Sequence, residues 1–206
     1  MTSCSQSDSR CTERVGIFFA ALHVLFFAPV LLRATGRTAR DATEQTSLLA
    51  EVATGTRKPA LVLHGAGLLL LWTGVVFAFV ERRVSRAVTG RGVLGAVLVL
   101  CAAVLMAWSV RTLRSWRLLP TIDARHELCT TGPYGLVRHP MYLAIDLLGV
   151  GSAAWVGTVP IVLAAAVLVL GGDLRARIEE KALVEAFGDR YRDYMKQVRR
   201  TLPLVY

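Results

Sequence analysis

Two short stretches carry most of this chain's chemical capacity. The first is Thr131-Gly132-Pro133-Tyr134-Gly135-Leu136-Val137-Arg138-His139-Pro140-Met141-Tyr142. Proline suits the first turn of a helix, where a missing N–H does no harm, so Pro133 and Pro140 predict a short helix and then a longer one. His139 then stands at a helix N-terminus, beside backbone N–H groups that lack helical partners, and its neutral ring can hydrogen-bond there. His139, Tyr142 and Asp146 are spaced three and four apart and share one helix face. A polar stripe descending into an apolar helix is costly and points to a site. The alternative is a boundary arginine and aromatic belt with one snorkelling aspartate.

The second stretch is Asp173-Leu174-Arg175-Ala176-Arg177-Ile178-Glu179-Glu180-Lys181, followed by Phe187-Gly188-Asp189-Arg190-Tyr191-Arg192-Asp193-Tyr194. Leu174, Ile178, Phe187, Tyr191, Met195 and Val198 recur at near-helical spacing, and charges fill the other faces. Gly188 predicts a break into two helices, and Pro203 an end to the second. On a plain amphipathic tail, Arg175 and Glu179 would be an ordinary i,i+4 pair.

Apolar segments must bring these stretches together. The 206 residues are 54% hydrophobic and 19% charged, above and below the soluble averages respectively. That excludes a disordered chain, a collagen-like fibre and a disulfide-stapled secreted module. A bilayer core of about 30 Å needs roughly 20 apolar residues of helix. Residues 15–32, 60–80 and 92–110 fit, with no Lys, Arg, Asp or Glu inside them. Residues 142–172 contain one charge, Asp146. As a single helix this stretch would run about 46 Å, too long without extreme tilt. Trp155-Val156-Gly157-Thr158-Val159-Pro160 is a sensible place to turn, so a hairpin of two short helices is expected.

The charge distribution tests the count. Lys and Arg number 2, 5, 4, 5, 0 and 8 in the successive polar segments. Five spans place 6 on one side and 18 on the other, whereas four spans place 14 and 10. Basic residues accumulate in cytoplasmic loops. The expected fold is therefore an all-α integral membrane protein with about five transmembrane helices, the last two a short hairpin followed by cytoplasmic amphipathic helices. Both chemical stretches then share the cytoplasmic face. Within a single membrane domain over residues 1–206, the Ser-rich residues 1–14 read as disordered and residues 15–110 as three spans. The loop 33–59 has room for a short interfacial helix.

The net charge of +9 comes largely from Arg flanking the spans, which anionic headgroups explain. No groove-reading or base-stacking element suggests nucleic acid. Cys4, Cys11, Cys101 and Cys129 form no metal or disulfide pattern. His23 and His64 lie within spans, where interhelical hydrogen bonding is preferred over haem ligation. Gly149-Val150-Gly151-Ser152-Ala153-Ala154 matches a dinucleotide fingerprint by letters, but it lacks the strand and solvated loop that motif requires. Close helix packing explains it better.

Taken in order, Gly132-Pro133-Tyr134, Arg138-His139-Pro140-Met141-Tyr142, Arg175-Ala176-Arg177-Ile178-Glu179-Glu180, Phe187-Gly188, Tyr191, Tyr194 and Leu202-Pro203 resemble the isoprenylcysteine carboxyl methyltransferase family and the related phospholipid N-methyltransferases. The resemblance covers residues 118–206, and the first three spans add only hydrophobic segments to it. It implies a membrane-embedded transferase using S-adenosyl-L-methionine without a Rossmann domain. Carried over, Arg138, His139 and Tyr142 would line the cofactor pocket, Pro140 would shape it and Glu180 would close it. Glu179 and Tyr134 are further cofactor-side candidates. Arg175, with Glu180 the expected catalytic pair, would sit by the methyl acceptor.

Methyl transfer from a sulfonium is an in-line displacement that needs positioning and exclusion of water. An ionised carboxylate acceptor needs no general base. The implied partner is a lipophilic or lipid-anchored acceptor among membrane lipids, with the active site facing the cytoplasm of a bacterial plasma membrane. Two other readings are a membrane NADPH-dependent reductase of similar C-terminal architecture and a non-catalytic scaffold.

Overall fold

The structure, a computed structural model, describes residues 4–35, 58–81, 90–113 and 128–201. Six α-helices occupy them: α1 (Cys4–Thr35), α2 (Lys58–Val80), α3 (Gly90–Thr112), α4 (Pro140–Val156), α5 (Val159–Phe187) and α6 (Asp189–Gln197), with a 3₁₀ turn at Gly132–Gly135 before α4. Four of these, α1, α2, α3 and α5, are long and apolar enough to cross a membrane, while α4 is a shorter apolar helix. Both prolines act as their positions dictate. Pro133 lies in the first turn of the 3₁₀ segment, and Pro140 opens α4 with His139 as its N-cap residue.

The expected hairpin is present. α4 ends on Gly157, whose φ of +70° is a left-handed conformation that glycine adopts without a Cβ penalty. At 17 residues, α4 is about 25 Å long, short of a 30 Å apolar core. Its partner α5 is 29 residues, about 43 Å, so its charged C-terminal part extends past the apolar layer.

α3 lies against α1 and α4, α2 lies against α5, and the hairpin joins the two groups. All five apolar helices feed one core, including Phe19, Leu71, Val99, Leu148 and Ile161. Leu69, Phe77, Val104, Val162 and Leu170 stay exposed on the outside, as lipid-facing side chains do. Lipid gives apolar helices little reason to associate, so close packing and interhelical hydrogen bonds must hold them. His23 provides one such bond from α1, its Nε2 lying 3.0 Å from Ser152 Oγ on α4.

The glycines of the rejected dinucleotide motif provide the packing. A Cβ on Gly151 would lie 2.9 Å from Val99 Cγ2, and one on Gly95 would lie 2.6 Å from the Gly151 carbonyl oxygen. Gly151→Leu is therefore expected to separate α3 from α4 at a cost of about 1–3 kcal/mol. Gly65→Leu, at a position with open space around it, should leave the detergent-solubilised melting temperature unchanged. Equal melting of the two variants would refute the close α3–α4 contact.

Three expectations need correction. Residues 4–14, expected to be disordered, continue α1 as helix. No glycine or proline interrupts that stretch, and propagating an existing helix is far easier than nucleating one. The motif residues 173–187 are not a separate amphipathic helix but the uninterrupted end of α5. Gly171 and Gly172 stay helical because close neighbours, not solvent, occupy their faces. α6 ends at Gln197, well before Pro203, because the backbone after it turns to pair with residues 137–139. Four long apolar helices and one short one occupy the five expected positions, the short one being the first arm of the hairpin. The expected interfacial helix of loop 33–59 falls largely outside the described residues.

Candidate active site

The site begins with a backbone clasp. Val137 pairs with Arg199 in an isolated parallel bridge. The N–H groups of Arg138 and His139 donate to the carbonyls of Arg199 and Arg200 at 2.8 and 2.9 Å. Residues after α6 are thus fastened to the start of α4. Tyr194 tightens the clasp by donating its hydroxyl to the Tyr134 carbonyl. Burial pushes the Tyr134, Tyr191 and Tyr194 phenols up, so all three stay neutral and Tyr194 keeps its donor proton.

Arg138 sits inside this clasp. Its Nε and Nη2 each lie 2.8 Å from Glu180 Oε1, while Nη1 donates to the carbonyls of Met195 and Val198. A cation suits those carbonyls, which lie at the C-terminal end of α6. The other carboxylate oxygen of Glu180 accepts from Arg200 Nε and Nη2 at 3.0 and 2.8 Å. Arg200 also reaches Asp173 at 3.3 Å. The Arg138 and Glu180 side chains are 8% and 5% exposed, so this is a buried network in which each charge has its counterpart.

From Glu180 a line of contacts runs towards the membrane interior. The buried His139 ring brings Nε2 to 3.3 Å from Glu180 Oε1 and Nδ1 to 3.8 Å from Glu179 Oε2. Nε2 nevertheless lacks a geometrically satisfactory hydrogen bond. Tyr142, one turn along α4, stacks on His139 with ring centroids 5.5 Å apart and donates its hydroxyl to Glu179 at 3.0 Å. Arg175 lies over the Tyr142 ring, 5.3 Å from its centroid. Its Nη1 is 3.2 Å from Nδ1 of His64 on α2. Asp146, the deepest member of the stripe, has Oδ1 buried without a partner and faces the position a Cβ on Gly172 would take, 3.4 Å away.

Tyr134, Arg138, His139, Pro140, Tyr142, Arg175, Glu179 and Glu180 therefore fall in one neighbourhood. Arg138 and Glu180 are engaged with other protein groups, Pro140 shapes the turn into α4, and Tyr134 packs beneath the clasp. His139, Tyr142, Glu179 and Arg175 form the contact line. Sequence reasoning missed Arg200, although the Arg199-Arg200 pair ahead of Leu202-Pro203 was a signal. It also assigned His64 only to interhelical bonding, without its partner.

Residues 91–190 match the phospholipid methyltransferase family. That match starts earlier than the expected boundary at residue 118 and takes in α3, in keeping with the close glycine packing of α3 on α4. A protein-S-isoprenylcysteine O-methyltransferase from Schizosaccharomyces pombe is 37% identical over 81 residues, 39% of this chain and 34% of that protein. A methanethiol S-methyltransferase from Pseudomonas deceptionensis is 40% identical over 76 residues, 34% of this chain and 26% of that protein. The chain thus spans about a third or less of the length of these curated relatives. Residues 91–190, the stretch that matches that family, hold both the Arg138–Tyr142 and the Arg175–Glu180 elements.

Proposed function

We propose that this protein is a membrane methyltransferase that uses S-adenosyl-L-methionine to modify a lipophilic acceptor, above all a carboxylate, at the cytoplasmic face of a bacterial plasma membrane. The observation that carries the reading is the line of contacts from Glu180 through His139 and Tyr142 to Arg175. It leads from a charged, clasped surface region into the helix bundle. A water-soluble cofactor and a lipid-like acceptor would meet along such a line. The preponderance of basic residues on one side supports the cytoplasmic orientation.

The residues present fit the cofactor. His139 has a buried Nε2 without a satisfactory partner, and the half-buried Glu179 can accept from ribose hydroxyls or an ammonium group. The face of Tyr142 favours a nearby sulfonium. The cofactor supplies an activated methyl group with a neutral thioether as its leaving group. Arg175 orients the acceptor head, and the surrounding apolar side chains exclude water. An ionised carboxylate attacks without losing a proton, so no residue need act as a base. A thiol acceptor is the second reading, favoured by the relative named as a methanethiol S-methyltransferase.

Titration of the detergent-purified protein with S-adenosylmethionine and NADPH tests the reading. Saturable binding of the first alone is expected; binding of NADPH alone would favour a reductase, and binding of neither a scaffold. His139→Ala should weaken S-adenosylmethionine binding at least tenfold, about 1.4 kcal/mol. Unchanged affinity would remove His139 from the cofactor side.

A further inference from the structure

We propose that His64 is an acceptor-binding residue that acts with Arg175 to select an anionic head group. The proposal rests on the methyltransferase reading and adds a recognition element from outside residues 91–190, the stretch that matches the family. The cofactor side and Arg175 come from that stretch, whereas His64 comes from α2.

The hydrogen-bond inventory assigns the ring's proton. A guanidinium can only donate, so the contact of Arg175 Nη1 with His64 Nδ1 at 3.2 Å makes Nδ1 the acceptor. The ring is then neutral, with its proton on Nε2. That Nε2 is buried without a partner in a residue 1% exposed. Buried donors are nearly always satisfied, so an unsatisfied one beside a functional cation calls for a ligand acceptor atom. Arg175 and His64 together offer donors and no acceptor, which suits a carboxylate and disfavours an ammonium.

The backbone is built to hold this pair. A Cβ on Gly171 would lie 2.8 Å from His64 Cα and 2.9 Å from its N. Glycine at this position, one turn before Arg175, lets α2 approach α5 closely enough for the imidazole to reach the guanidinium. The Tyr142 ring packs edge-on against His64 at 5.7 Å and lies under Arg175, limiting the movement of both.

The test compares two probes of matched size that differ in head-group charge and in the amide's N–H donors: an S-prenylated N-acetylcysteine with a free carboxylate, and its primary amide. Binding to the detergent-purified full chain is measured for each, with S-adenosylmethionine affinity measured separately. The wild type should prefer the carboxylate at least tenfold. His64→Leu should bring that preference below threefold, with S-adenosylmethionine affinity within twofold of wild type. His64→Gln, which keeps an N–H donor on a side chain of similar reach, should restore most of it. A purely structural role would instead weaken both probes equally and leave their ratio intact, which would overturn the proposal. Preference of the wild type for the amide would also overturn it and point to the unpartnered Asp146. Loss of S-adenosylmethionine binding by the wild type would overturn the methyltransferase reading, while the probe ratio still decides the anion selectivity of His64 and Arg175.

Discussion

Glu180→Ala should be the most damaging single change in the chemical region, and its damage should extend to the fold. The carboxylate is shared by Arg138 through Oε1 and Arg200 through Oε2. Removing one partner of a buried charge cluster costs about 3–5 kcal/mol, because the remaining charges keep their desolvation penalty without their counterion. For a chain of this size, 3 kcal/mol lowers the melting temperature by roughly 6–12 °C. Arg138 would lose its carboxylate while still holding the Met195 and Val198 carbonyls, so the C-terminal clasp should loosen. S-adenosylmethionine binding should fall with it. Glu180→Gln keeps the volume and one acceptor oxygen, and should be intermediate in both measurements. Wild-type melting and wild-type cofactor affinity in the alanine variant would show that the network neither supports the clasp nor closes the site.

Arg175→Ala should produce the opposite pattern, a large loss of transfer with the cofactor side nearly intact. A charge-assisted hydrogen bond contributes about 1.5–3 kcal/mol, so kcat/KM should fall roughly 10- to 100-fold. Arg175 contacts Tyr142 by its ring face and His64 by a hydrogen bond, and neither contact reaches Glu180. S-adenosylmethionine affinity is therefore expected to remain within about threefold of wild type by direct titration. Arg175→Lys should recover only part of the lost rate, because an ammonium lacks the planar fork that donates while stacking on an aromatic ring. An equal loss of cofactor affinity and transfer rate in the alanine variant would refute an acceptor-side role.

These two outcomes separate residues of a single helix. Arg175 and Glu180 are five positions apart on one helix, so they project from different faces. Spacing alone distinguishes the faces but not what each one meets. α5 presents Glu180 to the clasp formed by the start of α4 and the residues after α6. It presents Arg175 to α2. One role is therefore tied to the closure of the fold and the other to the helix bundle.

Features governed by local physics were readable from the amino-acid sequence. Pro140 opens α4 because its ring fits the first turn of a helix, and Gly157 turns the hairpin because the chain there adopts positive φ. The apolar stretches became helices because the backbone in lipid must satisfy its own hydrogen bonds. His139, Tyr142 and Asp146 lie on one face because helical periodicity places them there. The ordered motifs likewise carried the resemblance to membrane methyltransferases through residues that are close in sequence, and residues 91–190 match a family of that kind.

Tertiary structure alone decided which distant groups meet. Nothing in residues 173–187 indicates that they continue α5, and Gly171 and Gly172 stay helical because α2 and α4 occupy their open faces. Arg200 joins Glu180 only because the chain after α6 returns to pair with residues 137–139. His64 becomes Arg175's partner only because glycine lets two helices approach at a position more than a hundred residues away in sequence. Local propensity could therefore place the chemistry at the edge of a membrane bundle, whereas the partners of Glu180 and Arg175 depended on long-range backbone pairing and helix packing.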